Sequence, residues 1–204
     1  MQQDQSPKEN LALLRQLAES GRDAPLMAGP YLVAGGGWFA VSSLFQWQWL
    51  RELLDVSATQ ATRAWLIAAI GFAVHLAILI RRDRHKTENS NNRAINAAWT
   101  AAGVSILAFF IGVSVLAYQK DDFFLMNLIS LQVLSVYGIA WGVATVLTKQ
   151  PWMKAIAVAA FISIPLLSVS IGTGHEGVVY ATTLLLTAVI PGIKLTQLAK
   201  QAPI

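Results

Sequence analysis

The chain has 204 residues, of which 55% are hydrophobic and only 13% charged, with a mean hydropathy of +0.51. An ordinary soluble domain carries about 25% charged residues, so this composition excludes a conventional water-soluble globule. The lack of cysteine also excludes disulfides, thiolate nucleophiles and thiolate metal sites.

Residues 1–27 read as a cytoplasmic N-terminal segment. Ser6-Pro-Lys-Glu9 has the form of a capping box with proline at the first helical position. Leu11, Leu14 and Ala18, joined by Leu13 and Leu17, then share one broad helical face, which Gly21 can end. The spacing predicts an amphipathic helix over about residues 7–20 that packs on the bundle, lies at the membrane surface or docks a partner. Arg15 and Glu19 interrupt its apolar positions, which argues against a cleaved secretory signal.

Residues 28–204 read as one bundle of six transmembrane helices, over about 28–50, 61–80, 94–118, 123–147, 153–171 and 178–197. Each supplies roughly the 17–25 apolar residues that cross about 30 Å of hydrocarbon. Backbone amides in lipid must be satisfied within their own segment, so the class is all-α.

Span one carries Gly35, Gly36 and Gly37 near its middle. No phosphate-loop pattern surrounds them, so they predict the close approach of another helix, with a hinge as the alternative. Span two carries a small-residue stripe, Ala69, Ala73 and Ala77, which predicts a closely packed neighbour. Its His75 projects about 160° away from Ala73 and Ala77. His75 is therefore expected to face a second helix or a polar cavity, as a pH-sensing residue or as a structural hydrogen-bonding one. Span three repeats Gly-Val-Ser at Gly103 and Gly112, about half a rotation apart, which suits a central helix touched on both sides.

Span four aligns Asn127, Ser130, Ser135, Gly138, Gly142 and Thr145 within an arc of about 140°, and Gly138 with Gly142 makes a GxxxG. Span five contains Pro165, which allows a kink or a broken helix, although proline is ordinary in membrane helices. Span six aligns Tyr180, Thr183, Thr187 and Lys194, and Pro191-Gly192 is expected to break its inner end. The stripes of spans four and six predict either close packing, with hydroxyls bonded back to their own helices, or a polar cavity that His75 also lines. In the outer connections Glu52, Asp55, Asp121, Asp122, His175 and Glu176 concentrate acidity. Asp121, Asp122, His175 and Glu176 are candidates for a divalent cation, with solvated loop charges as the alternative.

Orientation follows from the basic residues. With six spans, the N-terminal segment, the Arg81–Arg93 connection, Lys149 with Lys154, and Lys194 with Lys200 share one side and hold twelve of the fifteen Lys and Arg. Arg51, Arg63 and Lys120 remain opposite. This asymmetry places both termini in the cytoplasm and makes the basic balance a matter of topology; no nucleic-acid partner is expected. The expected location is the plasma (inner) membrane, with the chain crossing it several times.

Chemistry is scarce. No Asp or Glu lies inside a span and His75 is the one histidine there, so an intramembrane carboxylate dyad and a bis-histidine haem are excluded. His175-Glu176 begins a zinc-protease pattern, but Val179 stands where the second histidine would be. No catalytic residue and no cofactor are assigned. The expected function is a multi-pass membrane protein acting through contacts, as a sensor or accessory subunit with a cytoplasmic or membrane protein partner. The alternative is a small transporter or channel using a polar cavity between spans four and six.

Overall fold

The protein is described by a computed structural model covering residues 28–54, 57–84 and 90–201. The expected N-terminal helix with its Ser6–Glu9 box, together with Asp55 and His85, lies outside the described residues. The elements are α1 (Gly29–Leu50), α2 (Ala58–Asp83), α3 (Ser90–Lys120), α4 (Asn127–Thr148), α5 (Pro151–Ser170), α6 (Glu176–Leu184) and α7 (Ile190–Gln201). A 3₁₀ turn, Phe123–Met126, leads into α4, and a π turn, Leu185–Val189, joins α6 to α7. No strand occurs among the described residues.

Among the described residues five helices are long and apolar enough to cross a membrane: Arg63–Asp83, Asn92–Lys120, Phe123–Thr148, Pro151–Ser170 and Glu176–Gln201. Their outward faces carry Leu66, Ile70 and Val74 on α2 and Val104, Leu107 and Ile111 on α3, all exposed. So large an apolar surface suits lipid and not water. α1 has 22 residues, about 33 Å of helix, yet falls outside that apolar set. Its glycines, serines, glutamines and tryptophans dilute it, and neighbouring helices cover it in place of lipid.

The order of packed neighbours is α2, α1, the α6–π–α7 helix, α5, α4 and α3. α2 and α3 occupy the ends of that order. The last apolar helix is accordingly 50% buried and α2 only 11%. Two core layers stack along the bundle. One joins Leu32, Ile95, Trp141, Met153 and Leu195, and the other joins Ala40, Leu134, Leu167, Tyr180 and Leu184.

α1 and α2 form an antiparallel pair stitched at three levels. Tyr31 donates to Asp83 Oδ2 at 3.1 Å, Ser42 to the Ala64 carbonyl at 3.1 Å, and Trp65 Nε1 to Gln46 Oε1 at 2.7 Å. The start of α2 is fixed by a capping box absent from the sequence reading, in which the Ser57 hydroxyl accepts the Gln60 amide and Gln60 Oε1 accepts the Ser57 amide. The α4–α5 turn is equally short. Lys149 takes φ 56° and donates its amide to the Thr145 carbonyl at 2.8 Å, and Pro151 opens α5.

Glycine sets the spacing of α1 against the last helix. A Cβ on Gly29 would lie 2.6 Å from the Gly192 carbonyl oxygen, one on Gly36 2.7 Å from the Ala188 Cβ, and one on Gly177 2.5 Å from the Ser43 carbonyl oxygen. The two backbones therefore approach at three levels, closer than any side chain permits. The three consecutive glycines meet three environments. Gly36 meets the π turn, Gly35 meets the Phe72 ring and the Tyr137 hydroxyl, and Gly37 has nothing within 4 Å of a built Cβ.

Several expectations are corrected. α3 is an edge helix, not a central one: it packs on α4 and the 3₁₀ turn, and Gly103 and Gly112 both face open space. Ala69, Ala73 and Ala77 are exposed, so no described helix covers that stripe. Gly138 receives the Phe161 ring, with a built Cβ 2.7 Å from it, and Gly142 meets nothing within 4 Å, so this GxxxG is not a backbone crossing. α5 continues as a helix through Pro165, and the last helix leaves α geometry at the π turn Leu185–Val189 just before Pro191, near where a break was expected.

The glycine contacts make a graded prediction. Gly36→Ala should destabilise the protein by about 1–3 kcal/mol through overpacking, whereas Gly37→Ala should be neutral or stabilise it by up to about 1 kcal/mol. Thermal unfolding of the purified variants in detergent, followed by size-exclusion fluorescence, measures both. Equal effects at the two positions would contradict the spacing role of Gly36.

Candidate functional site

Pro191 has no amide hydrogen, so the Thr187 carbonyl, four residues earlier, has no donor in a regular α-helix, and the proline ring would press on that carbonyl. The π turn relieves this conflict: the Ile190 amide bonds the Leu185 carbonyl, five residues back. Trp141 Nε1 then donates to the Thr187 carbonyl at 2.8 Å, across the bundle. Trp141 and Thr187 are both fully buried.

Trp141 also organises an aromatic array. Its ring meets Trp99 edge-on at 5.5 Å and Trp152 at 5.9 Å, and Trp99 meets Tyr137 edge-on at 5.4 Å. Each such geometry adds about 0.5–1.5 kcal/mol beyond burial. Lys194 Nζ lies 4.2 Å over the Trp152 ring, a cation–π contact that holds its charge at the exposed end of the array. Trp141 is not among the residues singled out from the sequence. The local signal was Pro191 four residues after Thr187, which leaves one carbonyl in need of a donor from elsewhere.

The polar stripes are largely satisfied within their own helices. Thr183 donates to the Val179 carbonyl at 2.9 Å, Thr187 to the Thr183 carbonyl at 2.7 Å, and Thr145 to the Trp141 carbonyl at 2.8 Å. Ser130 donates to the Asn127 carbonyl and Asn127 Nδ2 to the Phe124 carbonyl. Leu134, Tyr180 and Leu184 are packed together in one core layer, with Tyr137 against it. The region between α4 and the last helix is thus occupied by large side chains. Ser135 lies apart from Tyr180, Thr183 and Thr187, in a groove between α3 and α4.

Two grooves open sideways. One, of about 460 Å³, is lined by Ser105, Gln132 and Ser135 with small residues of α3 and α4. The other, of about 470 Å³, lies on the α1–α2 pair between Trp38, Gly71, Val74, His75 and Ile78. His75 is exposed there and makes no hydrogen bond among the described residues. It faces neither Thr183 nor Asn127, and shares its groove with an indole and aliphatic walls.

Among the described residues the acidic side chains of the outer connections form no metal-binding group. Glu52 and Asp121 occupy left-handed turns, at φ 57° and 52°. Asp122 caps the 3₁₀ turn by accepting the Phe124 amide at 3.0 Å. His175 Nδ1 lies 3.2 Å from the Thr173 carbonyl, and Glu176 opens α6.

The Trp141 bond predicts a coupled pair of substitutions. Trp141→Phe should cost about 1–3 kcal/mol by removing the indole donor to the buried Thr187 carbonyl. In a Pro191→Ala background residue 191 regains an amide hydrogen, so the same substitution should cost less, with a coupling of about 0.5–3 kcal/mol. Unfolding of the four proteins in detergent completes the cycle; equal costs in both backgrounds would show that the carbonyl is not what Trp141 serves.

No family model, curated protein or solved structure matches this chain.

Proposed function

We propose that the chain is a multi-pass protein of the plasma membrane with six spans and both termini cytoplasmic, acting through contacts as a sensor or accessory subunit. One observation carries this reading: the hydroxyls of Thr145, Thr183 and Thr187 are bound to their own helix carbonyls, beside a core filled by Leu134, Trp141, Tyr180 and Leu184. A permeation path needs polar groups turned toward a lumen, and these are turned away from one. A sixth span through α1 is supported by its length and its glycine contacts along the last helix. The charge asymmetry of the connections supports the orientation.

The expected partner contacts lie at the cytoplasmic end, where the N-terminal segment and the Arg81–Arg93 connection place eight basic residues. Full-length protein in vesicles should show no solute or ion flux above empty vesicles. Co-purification of a cytoplasmic protein that is lost on deleting residues 1–20 should accompany it. Flux abolished by substitutions at Thr183 and Thr187 would establish transport instead, and a reporter showing either terminus outside would overturn the topology.

A further inference from the structure

The polar groups in the groove between α3 and α4 are satisfied differently from the threonines of the last helix, which bond their own helix carbonyls. Ser105 lies at the middle of Asn92–Lys120 and Ser135 at the middle of Phe123–Thr148. Gln132 Nε2 donates to Ser105 Oγ at 3.2 Å, linking the two helices. The Ser105 hydroxyl hydrogen, the Gln132 amide oxygen and the Ser135 hydroxyl have no partner among the described residues. A serine in a helix can readily donate to the carbonyl four residues back, as Ser163 does here to Ala159. Ser105 and Ser135 instead face the groove.

Polar groups at this depth have neither water nor lipid oxygens to bind, and each costs several kcal/mol when left alone. The groove opens sideways, so its occupant arrives in the plane of the membrane. Lipid tails cannot supply the hydrogen bonds. A helix can: Ala98, Ala101, Ala102 and Ala140 leave room for a backbone to come close, beside the larger Val136 and Ile139 of the same lining.

We infer that this groove is the interface of a two-fold homodimer, in which the Ser105–Gln132–Ser135 set of one copy hydrogen-bonds that of the other. The chemistry favours a second copy because the set is self-complementary. Each hydroxyl donates and accepts, and the amide keeps an oxygen and a second hydrogen available. A two-fold axis through the groove sets like groups against one another, as an isologous contact requires. No charged residue lines the groove, so no like charges oppose the pairing. α3, at the end of the neighbour order, leaves the approach open. The inference goes beyond the proposed function and requires only that α3 and α4 lie in a bilayer.

The chain has no cysteine, so single substitutions report contacts without background. Ala101→Cys and Ala98→Cys each mark the groove, and Val74→Cys marks the α1–α2 groove as a control. Under mild oxidation in dilute vesicles, at least one groove variant should form a disulfide-linked dimer, which requires Cα atoms within about 7 Å; Val74→Cys should stay monomeric. Gln132→Leu should weaken the unlinked dimer by about 3- to 30-fold, read by energy transfer between labelled copies, with the monomer's melting profile as the control for folding. One subunit per spot in single-molecule photobleaching, dimers linked equally through Val74→Cys, or association indifferent to Gln132→Leu would each overturn the inference, as would a different protein or a lipid found seated in the groove.

Discussion

A single backbone carbonyl constrains much of this bundle. Thr187 accepts nothing from its own helix at the regular position because residue 191 is proline, and at membrane depth no water repairs the loss. The indole of Trp141 repairs it. A tryptophan delivered to that point fixes the rotation of α4 about its axis, and the same ring then determines where Trp99 and Trp152 can stand. The π turn that accommodates the proline also presents Ala188 to Gly36. Helix spacing on one side of the last helix and aromatic packing on the other thus meet at one turn.

The forces available in lipid explain why contacts of this kind recur. Apolar burial does not drive helices together when the solvent is itself apolar, so close packing and hydrogen bonds must do so. The bundle accordingly places glycine where backbones meet, at Gly29, Gly36, Gly177 and Gly192. Polar cross-links occur where helices pair, as from Tyr31 to Asp83 and from Trp65 to Gln46. Leucine, isoleucine and valine are turned outward in quantity. α1 is the extreme case: outside the set of long apolar helices, it is packed along the last helix through its glycines.

The helical segments were legible because length and apolarity are summed over twenty residues and tolerate local exceptions. Adjacency was less legible. The stripe Ala69, Ala73 and Ala77 and the glycines Gly103, Gly112 and Gly142 have the composition of contact sites, yet the alanines are exposed and a Cβ built on any of these glycines meets nothing within 4 Å. Small residues permit approach without compelling it, and what compels it is a partner with matching shape, which one segment cannot reveal. Gly36 illustrates this: the sequence marked it as a place of close approach, but the identity of the approaching helix depended on a π turn about 150 residues further along. Pro191 shows the same limit: the local rule says that a donor is lost, but the indole and the wider turn that answer it come from outside the local sequence.

A filled interior changes what the remaining polar groups signify. Where a hydroxyl sits among helices and bonds its own carbonyl, it adds little beyond local satisfaction, and Thr183 and Thr187 are of this kind. Where polar groups sit on the side of the bundle, at mid-depth, the surroundings must complete them. His75 and the Ser105–Gln132–Ser135 set are both lateral, but they differ in what completes them. An imidazole among aliphatic walls offers one isolated group, to which any single polar atom could respond. The amide with two hydroxyls offers a pattern of donors and acceptors on a floor of alanine, and a pattern selects its partner. Among the described residues, the α3 edge of the bundle is thus where a pattern of donors and acceptors, not an isolated group, faces outward.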